Sequence, residues 1–248
     1  MNIFILAGEP SGDEYGAQLM QNISEKTKNV NFIGIGGPLM GKQGLKSIVP
    51  FQKMSVMGFF EIIKTLPFFI KLEKNILNLI VKQKPDKIIL IDYPGLNLRL
   101  APKIKSHIKT QIFYYISPQI WAWKEKRIEI IKKYIDKMIV IFEFEKAWYH
   151  KRGVEAEYVG HPFLDIWNKN NTDNLIEKYK IDKTQPILTL FPGSRKQELK
   201  KHLQLFVDVA LKLKENIPTL QILLGLHPEI KLTHQIDQQI IIINDKPL

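Results

Sequence analysis

The 248-residue chain carries 36 lysine and arginine residues against 25 aspartate and glutamate residues, which gives it a net charge of +11. With 45% hydrophobic residues and no cysteine, it can bury a core in one large or two small domains, and disulfides and thiolate metal sites are excluded. The basic charge suits nucleic acid, an anionic membrane surface or phosphorylated substrates, and it does not choose among them.

Short apolar runs rich in β-branched residues alternate with amphipathic stretches along the chain. The runs predict strands at 3–7, 31–35, 87–92, 111–116, 137–141, 187–191, 220–224 and 240–243. The stretches between them predict helices at 13–28, 96–108, 123–134 and 196–216. Continuous apolar strands separated by helices are typical of a parallel sheet covered on both faces, the α/β class.

A polar, Asn-rich segment around 162–186 predicts a domain boundary. After Pro186 the alternation restarts and yields about three strands, whereas a doubly wound domain has about five or six. The sequence therefore predicts two Rossmann-like domains, residues 1–165 and residues 166–248, the second of them incomplete.

The start of the chain, MNIFILAGEPSGD, lacks the basic region and the long apolar run of a signal peptide. No stretch approaches the roughly 18 uninterrupted apolar residues of a membrane-spanning helix. We therefore expect a cytoplasmic location.

The stretch AGEPSGD, residues 7–13, joins the first strand to the first helix. The carboxyl end of a parallel strand is where ligands bind in open α/β sheets. Ser11 and Asp13 either cap the helix or contact a ligand, and Gly12 permits close backbone approach. Glu9 has no evident capping role, which favours a function for its carboxylate.

Two further strand ends carry candidate residues. GIGGPLM, residues 34–40, either wraps a ligand or makes a tight turn. In IDYPGLNLRLA, residues 91–101, Asp92 ends a buried strand, where a carboxylate is costly to desolvate and is rarely present for packing. The pattern favours a catalytic base or a ligand contact at Asp92, with Asn97 facing the same cleft.

The segment 116–137 interleaves aromatic and basic residues, namely Trp121, Trp123, Lys124 and Arg127. This pattern suits nucleic acid or a pocket for an acylated, phosphorylated ligand. The alternative is an amphipathic helix anchored by tryptophan.

The stretch LFPGSRKQEL, residues 190–199, places Gly193, Ser194 and Arg195 between a strand and a helix. Backbone amides, the helix dipole and the guanidinium would converge there on an anion, such as a phosphate or pyrophosphate.

Residues 54–81 have apolar side chains at helical spacing, for which core packing is the default explanation. Pro67 is expected to kink or break the helix. Four phenylalanines beside lysines also describe a lipid-contacting element: Phe59, Phe60, Phe68 and Phe69.

Six stretches, taken in this order, resemble the lipid-A-disaccharide synthase family. They are AGEPSGD, VMGFFEI, IDYPGLNLRLA, YYISPQIWAWKEKRI, FEFEKAWYHKRGVEAEYVGHPFLD and LFPGSRKQEL. The resemblance implies a GT-B glycosyltransferase that joins UDP-2,3-diacylglucosamine to 2,3-diacylglucosamine 1-phosphate through a β-1,6 linkage and releases UDP. It implies neither a metal nor an organic cofactor, and peripheral association with the anionic inner membrane of a Gram-negative bacterium.

The resemblance also assigns roles to residues. Glu9 and Asp92 map onto the active site, with Asp92 expected as general base and Glu9 supporting it, although either could take the proton. Arg195 would face the diphosphate of UDP. The first domain would be the acceptor side and the second the nucleotide-sugar side. The chain ends before a glycine- and serine-rich segment with which the family continues, so the second domain is expected to be partial.

Three alternatives stay open at this point. A UDP-sugar 2-epimerase shares the GT-B architecture, and a truncated chain could bind acylated sugar phosphates or membrane without turnover. A nucleic-acid-binding module would show steeply salt-dependent binding, but no stretch resembles a known reader motif, so nucleic acid is not expected as a partner. Homo-oligomerisation is left open.

Overall fold

The computed structural model describes residues 1–51, 54, 62–166, 170–194, 196–226, 230, 232 and 236–244. The chain divides into two compact units, Met1–Leu164 and Asp165–Leu248. The strands of the first unit are β1 (Asn2–Ala7), β2 (Asn31–Ile35), β3 (Lys46–Ser47), β4 (Lys87–Ile91), β5 (Gln111–Tyr115), β6 (Lys137–Val140) and β7 (Ala156–Tyr158). Its helices are α1 (Pro10–Lys26), α2 (Pro38–Lys42), α3 (Ile62–Gln83), α4 (Pro94–His107), α5 (Ile128–Tyr134), α6 (Glu143–His150) and α7 (Phe163–Ile166), the last of which runs across the boundary.

The first unit is built on a seven-stranded sheet with strand order β3-β2-β1-β4-β5-β6-β7. Every neighbouring pair runs parallel. The order reverses between β1 and β4, and in open α/β sheets the crevice beyond the carboxyl ends of such a pair is where ligands bind.

Alternate residues of the central strands enter two different cores. Phe4 and Leu6 of β1 face the core that α3, α4 and α5 cover, whereas Ile3 and Ile5 face the core under α1 and α2. The two-residue period of a strand explains this division, and it explains why β1 reads as an unbroken apolar run. The predicted α/β class with a parallel sheet covered on both faces is confirmed.

The second unit contains β8 (Ile187–Leu190), β9 (Gln221–Gly225) and β10 (Ile240–Ile243), together with α8 (Asn170–Lys178) and α9 (Lys196–Asn216). Its sheet has the order β10-β9-β8 and is parallel. Leu190, Ile222 and Leu224 pack against Val207 and Ala210 of α9 in a separate core. A second Rossmann-like domain is thus present in part.

Two local expectations are corrected. The helix expected at 123–134 begins only at Ile128, after a 3-10 turn at Glu125–Arg127, because Lys124 adopts a left-handed backbone with φ of +58°. Pro67 does not break α3, which runs from Ile62 to Gln83. Because proline has no amide hydrogen, α3 continues past Pro67 without a helical hydrogen bond from this position.

Candidate active site

The turns after β1 and β4 bring two acidic residues to the same edge of the sheet. Ala7 and Ile91 are register partners in neighbouring strands. Asp92 follows Ile91 directly, and Glu9 comes two residues after Ala7. Glu9 is the N-cap residue of α1 in an extended conformation, but its side chain makes no capping hydrogen bond. Its carboxylate is therefore not explained by helix capping.

The backbone of the Asp92 turn is unusual. Asp92 and Tyr93 both have left-handed conformations, with φ of +42° and +47°, a region that non-glycine residues adopt at a cost. Surrounding hydrogen bonds hold the turn in place. The Asp92 amide donates to the Tyr115 carbonyl over 2.9 Å, and the Asp92 carbonyl accepts from the Tyr114 hydroxyl and from Asn97 Nδ2, each over 2.6 Å.

Burial in this turn raises the pKa of Asp92 from 3.8 to about 6. The Glu9 carboxylate adds to the rise by repulsion, while a hydrogen bond from the Tyr93 backbone opposes it. A pKa near 6 keeps Asp92 ionised at neutral pH and makes it a stronger proton acceptor than an ordinary aspartate.

Tyr93 fixes the spacing between the two turns. A Cβ placed on Gly8 would lie 2.5 Å from the Tyr93 ring, so only glycine lets the strand end approach so closely. The Tyr93 hydroxyl donates to the Met54 carbonyl over 3.4 Å. Burial and the Glu9 charge raise its pKa to about 12, which keeps it protonated.

The remaining residues of AGEPSGD divide between surface and interior. Ser11 is exposed. Gly12 is buried, and a Cβ placed on it would contact Ala7. Asp13 is 3% exposed and accepts hydrogen bonds from the amides of Gly37, Leu39 and Met40 over 2.8 to 3.0 Å. Asp13 therefore caps the start of α2 rather than its own helix, and the GIGGPLM stretch is the turn it holds.

Asn97 is fully buried. Its amide donates to the carbonyls of Ile91 and Asp92, so the structure places it beneath the Asp92 turn, where it supports that turn. The contact with substrate that the sequence suggested for Asn97 stays a prediction.

The tryptophan segment lies in the loop between β5 and α5. Trp123 is 59% exposed, with Lys124 Nζ 4.2 Å and the Arg127 guanidinium 5.9 Å from its ring centroid. Trp123 is not the buried anchor of a helix, which removes that alternative. The exposed ring and the two cations lie together in this loop, and their contact with a ligand stays a prediction.

Glu145 is a buried carboxylate bonded to the tryptophan segment, and the sequence did not single it out. It is 1% exposed, and it accepts hydrogen bonds from Ser117 Oγ (2.6 Å), Trp121 Nε1 (3.1 Å) and the Phe142 amide (3.2 Å). This carboxylate fixes the Trp121 ring to α6. The sequence does carry a signal for Glu145, because it is the third residue of a helix that follows a buried strand. The acidic residue of a capping box occupies this position.

Two predicted groups fall partly outside the described residues, namely Arg195 of the phosphate loop and Phe59 and Phe60 of the apolar patch. In the phosphate loop, Gly193 has a φ of +118°, and the Ser194 amide donates to Glu198 over 3.0 Å. A carboxylate thus already uses one amide that was expected to hold an anion.

Phe68 and Phe69 are half-buried and pack on the core of the first unit. Part of each ring is therefore covered by the core and part remains exposed. The neighbouring Ile70 is 55% exposed.

Over the parts of the chain that the structure describes, His, Cys, Asp and Glu side chains form no group of three or more that could hold a metal ion. Within the same ranges, no helix combines the length and the apolar character needed to cross a bilayer.

Solved structures with the same architecture support the fold. The chain aligns with the UDP-GlcNAc 2-epimerase of Neisseria meningitidis bound to UDP-GlcNAc (TM-score 0.63, 9% identity), covering 99% of this chain and 73% of that one. It aligns with the sucrose-phosphate synthase of Thermosynechococcus elongatus (TM-score 0.59, 13% identity), covering 98% and 70%. Likeness at these identities concerns the fold alone, and it confirms the predicted GT-B architecture.

Sequence relatives are more specific. The chain is 37% identical to the lipid-A-disaccharide synthase of Coxiella burnetii (strain Dugway 5J108-111) over 226 residues, which cover 91% of this chain and 60% of the relative. It is 40% identical to lipid-A-disaccharide synthase 1 of Legionella pneumophila (strain Paris) over 220 residues, covering 88% and 57%. The chain thus spans about 60% of the length of these relatives. Residues 3–246 match the family model described as lipid-A-disaccharide synthetase, and the chain belongs to that family.

Proposed function

We propose that this chain takes part in the transfer of a diacylglucosamine unit from UDP-2,3-diacylglucosamine to 2,3-diacylglucosamine 1-phosphate, with release of UDP. The observation that carries the proposal is the partly buried Asp92 carboxylate at the sheet's switch point, with a pKa that burial and the Glu9 charge raise to about 6. The sequence relatives at 37–40% identity favour this reaction over sugar epimerisation, because the epimerase likeness is one of fold.

In the proposed step, Asp92 accepts the proton of the acceptor's 6-hydroxyl as its oxygen attacks the anomeric carbon of the donor. The bond from that carbon to the UDP oxygen breaks, UDP leaves with the electron pair, and the configuration inverts. A positioned base of this kind contributes about 10²- to 10⁴-fold to a rate. The Tyr114 hydroxyl and the Asn97 side-chain amide donate to the Asp92 backbone carbonyl and hold Asp92 in place, so that little reorganisation is needed.

Glu9 has a supporting role in this proposal. Its negative charge raises the pKa of Asp92 and so strengthens the base. Its carboxylate can also accept a hydrogen bond from a sugar hydroxyl, because it makes no hydrogen bond to the start of α1.

Trp121, Trp123, Lys124 and Arg127 are proposed to contact the acylated, phosphorylated acceptor. The cations over the exposed Trp123 ring suit a phosphate beside an apolar group. Ser11 and Gly12 border the Glu9 turn and are proposed as further substrate contacts.

The second unit is proposed to hold the nucleotide sugar. Gly193, Ser194 and Arg195 would bind the diphosphate, which requires the Ser194 amide to exchange its Glu198 partner for a phosphate oxygen. Positive charge and oriented amides stabilise a departing diphosphate.

Peripheral association with the cytoplasmic side of an inner membrane is part of the same proposal. The substrates are acylated, the chain has a net charge of +11, and α3 exposes Ile70 beside Phe68 and Phe69. An anionic surface attracts such a basic protein.

UDP release tests the proposal. The chain is mixed with UDP-2,3-diacylglucosamine and 2,3-diacylglucosamine 1-phosphate in mixed micelles, and free UDP is measured with and without the acceptor. We expect acceptor-dependent release that Asp92→Asn lowers at least about 100-fold, with circular dichroism unchanged. Near-normal release by Asp92→Asn would remove Asp92 from the role of base.

A folded chain that binds the micelles but releases no UDP would favour the alternative of a binding protein without turnover. The matched control is Asp86→Asn, which alters an exposed aspartate at the opposite end of β4. It should leave UDP release unchanged.

A further inference from the structure

A groove between α3 and α4 lies away from the candidate active site. It encloses a cavity of about 340 Å³, and its lining includes Ile70, Glu73, Lys74, Arg99, Lys103 and His107. No step of the proposed transfer uses these residues. Arg99, which follows the Asp92 turn in the sequence, lines this groove and pairs with Glu73.

A buried carboxylate organises the groove. Glu73 is 3% exposed, its Oε2 lies 2.7 Å from Arg99 Nη2, and it also pairs with Lys103. Both cationic side chains remain about half exposed, at 48% and 50%. Glu73 therefore holds two cations in fixed positions while leaving part of each free to meet another anion.

Positive charge exceeds negative charge at this site. Lys74, Arg99 and Lys103 face one carboxylate, and His107 lies at the same cavity. Glu73 is the only acidic residue in the sequences of α3 and α4. A simple ion pair joining two helices would not need this surplus of two formal charges, whereas an anion site would.

An apolar margin adjoins the cations. Ile70 lines the groove and is 55% exposed, and the Phe68–Phe69 pair precedes it on the same helix. A phosphate flanked by acyl chains matches both features, because its charge suits the groove and its chains suit the apolar margin. A free phosphate or a nucleotide makes no use of Ile70.

We propose that the α3–α4 groove binds the phosphate headgroup of an anionic phospholipid, through Arg99 and Lys103 held by Glu73. The proposal deepens the membrane association argued above and rests on it. It does not depend on the chain's catalytic activity.

Vesicle binding tests the groove directly. The wild-type chain is floated with phosphatidylcholine vesicles that either contain or lack phosphatidylglycerol. We expect binding to the anionic vesicles, and a loss of about 25-fold in the Arg99→Gln/Lys103→Gln variant, because each basic side chain at an anionic surface contributes a factor of about five. The matched control, Lys132→Gln/Lys133→Gln on α5, removes the same charge from two exposed lysines and should lose less than about threefold. Equal losses in both variants, or none in the groove variant, would overturn the proposal.

The groove variant leaves Glu73 buried without partners and is at risk of misfolding. The triple variant Glu73→Gln/Arg99→Gln/Lys103→Gln removes the buried carboxylate together with the two cations it pairs with, and Lys132→Gln is its control for net charge. The triple variant should lose anionic-vesicle binding just as the double variant does, and retained binding by a folded triple variant would contradict the proposal.

Two further experiments complete the test. The first distinguishes a lipid phosphate from free phosphate as the bound anion, and the second distinguishes the groove proposal from the proposed transfer reaction. If inorganic phosphate displaces the chain from vesicles and perturbs the Arg99 side-chain NMR signals equally without lipid, the groove is a free-phosphate site and the lipid proposal is wrong. Asp92→Asn should bind vesicles as the wild type does. A failure of UDP release therefore leaves the vesicle result to decide the groove proposal independently.

Discussion

Two aspartates near the carboxyl edge of the first sheet, Asp13 and Asp92, show how surroundings decide what a carboxylate does. Asp13 is almost completely buried, and three backbone amides donate to it. Asp92 is less buried, but it meets the Glu9 charge, and its pKa rises to about 6. Asp13, which accepts from three backbone amides, is a structural cap. Asp92, whose pKa is raised, is the candidate general base.

The comparison teaches that burial alone does not identify a functional acid. Glu145 and Glu73 are also buried, yet hydrogen-bond donors or cations compensate each of them. At Asp92 the side chains of Tyr114 and Asn97 donate to the backbone carbonyl rather than to the carboxylate, and the hydrogen bond from the Tyr93 backbone only partly offsets the effect of burial on the carboxyl pKa. A site that holds the main chain and leaves the pKa of the acid raised has the arrangement a base requires.

Removing the Asp13 carboxylate should give the largest change in stability. Asp13→Ala leaves the amides of Gly37, Leu39 and Met40 buried without their acceptor, which should cost about 3–5 kcal/mol. Urea denaturation measures the loss, and hydrogen exchange at those three amides localises it. Ser11→Ala, at the exposed neighbour, should stay within about 0.5 kcal/mol. A loss below about 1 kcal/mol for Asp13→Ala would show that the cap does not stabilise the fold.

Much of the fold was predictable from the sequence because the buried strands are continuous apolar runs. All eight predicted strands are present, and the parallel sheet follows from the helices between them. The two short strands β3 and β7 were missed, because two or three partly exposed residues leave no apolar run. The start of the helix expected at 123–134 was wrong because a left-handed lysine gives little local signal.

The sequence yields candidate site residues where the chemistry of a side chain conflicts with its position. A carboxylate at the end of a buried strand made Asp92 a candidate, and an acid without a capping role made Glu9 one; the roles of both stay predictions. The partner of Asp13 could not be read from the sequence, because the amides it binds lie 24 to 27 residues away. Glu145 was missed for a similar reason, since its donor Ser117 lies 28 residues earlier.

Replacing the Asp92 carboxylate should stabilise the protein while removing activity. The folded pKa of about 6 lies above the unfolded value of 3.8, so ionisation at neutral pH opposes folding by about 3 kcal/mol at most. Below about pH 4 both states are protonated, and Asp92→Asn should gain little. The gain should grow between about pH 4 and 6 and then stay constant. Urea denaturation of both proteins across this range provides the measurement. A variant less stable than the wild type at pH 8 would contradict a raised pKa of Asp92 in the folded state.

The smallest expected effect isolates the contribution of Glu9. Glu9→Gln removes the repulsion that raises the pKa of Asp92 but leaves burial, the larger cause, in place. The pKa of Asp92 should therefore fall by less than about one unit and remain above 3.8, and the acidic limb of the pH–rate profile should move to lower pH with it. NMR titration of the Asp92 side-chain carboxyl measures the change. Glu14→Gln is the control, because the Glu14 carboxyl interacts with Asp13. An unchanged titration in Glu9→Gln would mean that burial alone sets the Asp92 base, and Glu9 would then keep only a contact with substrate as its role.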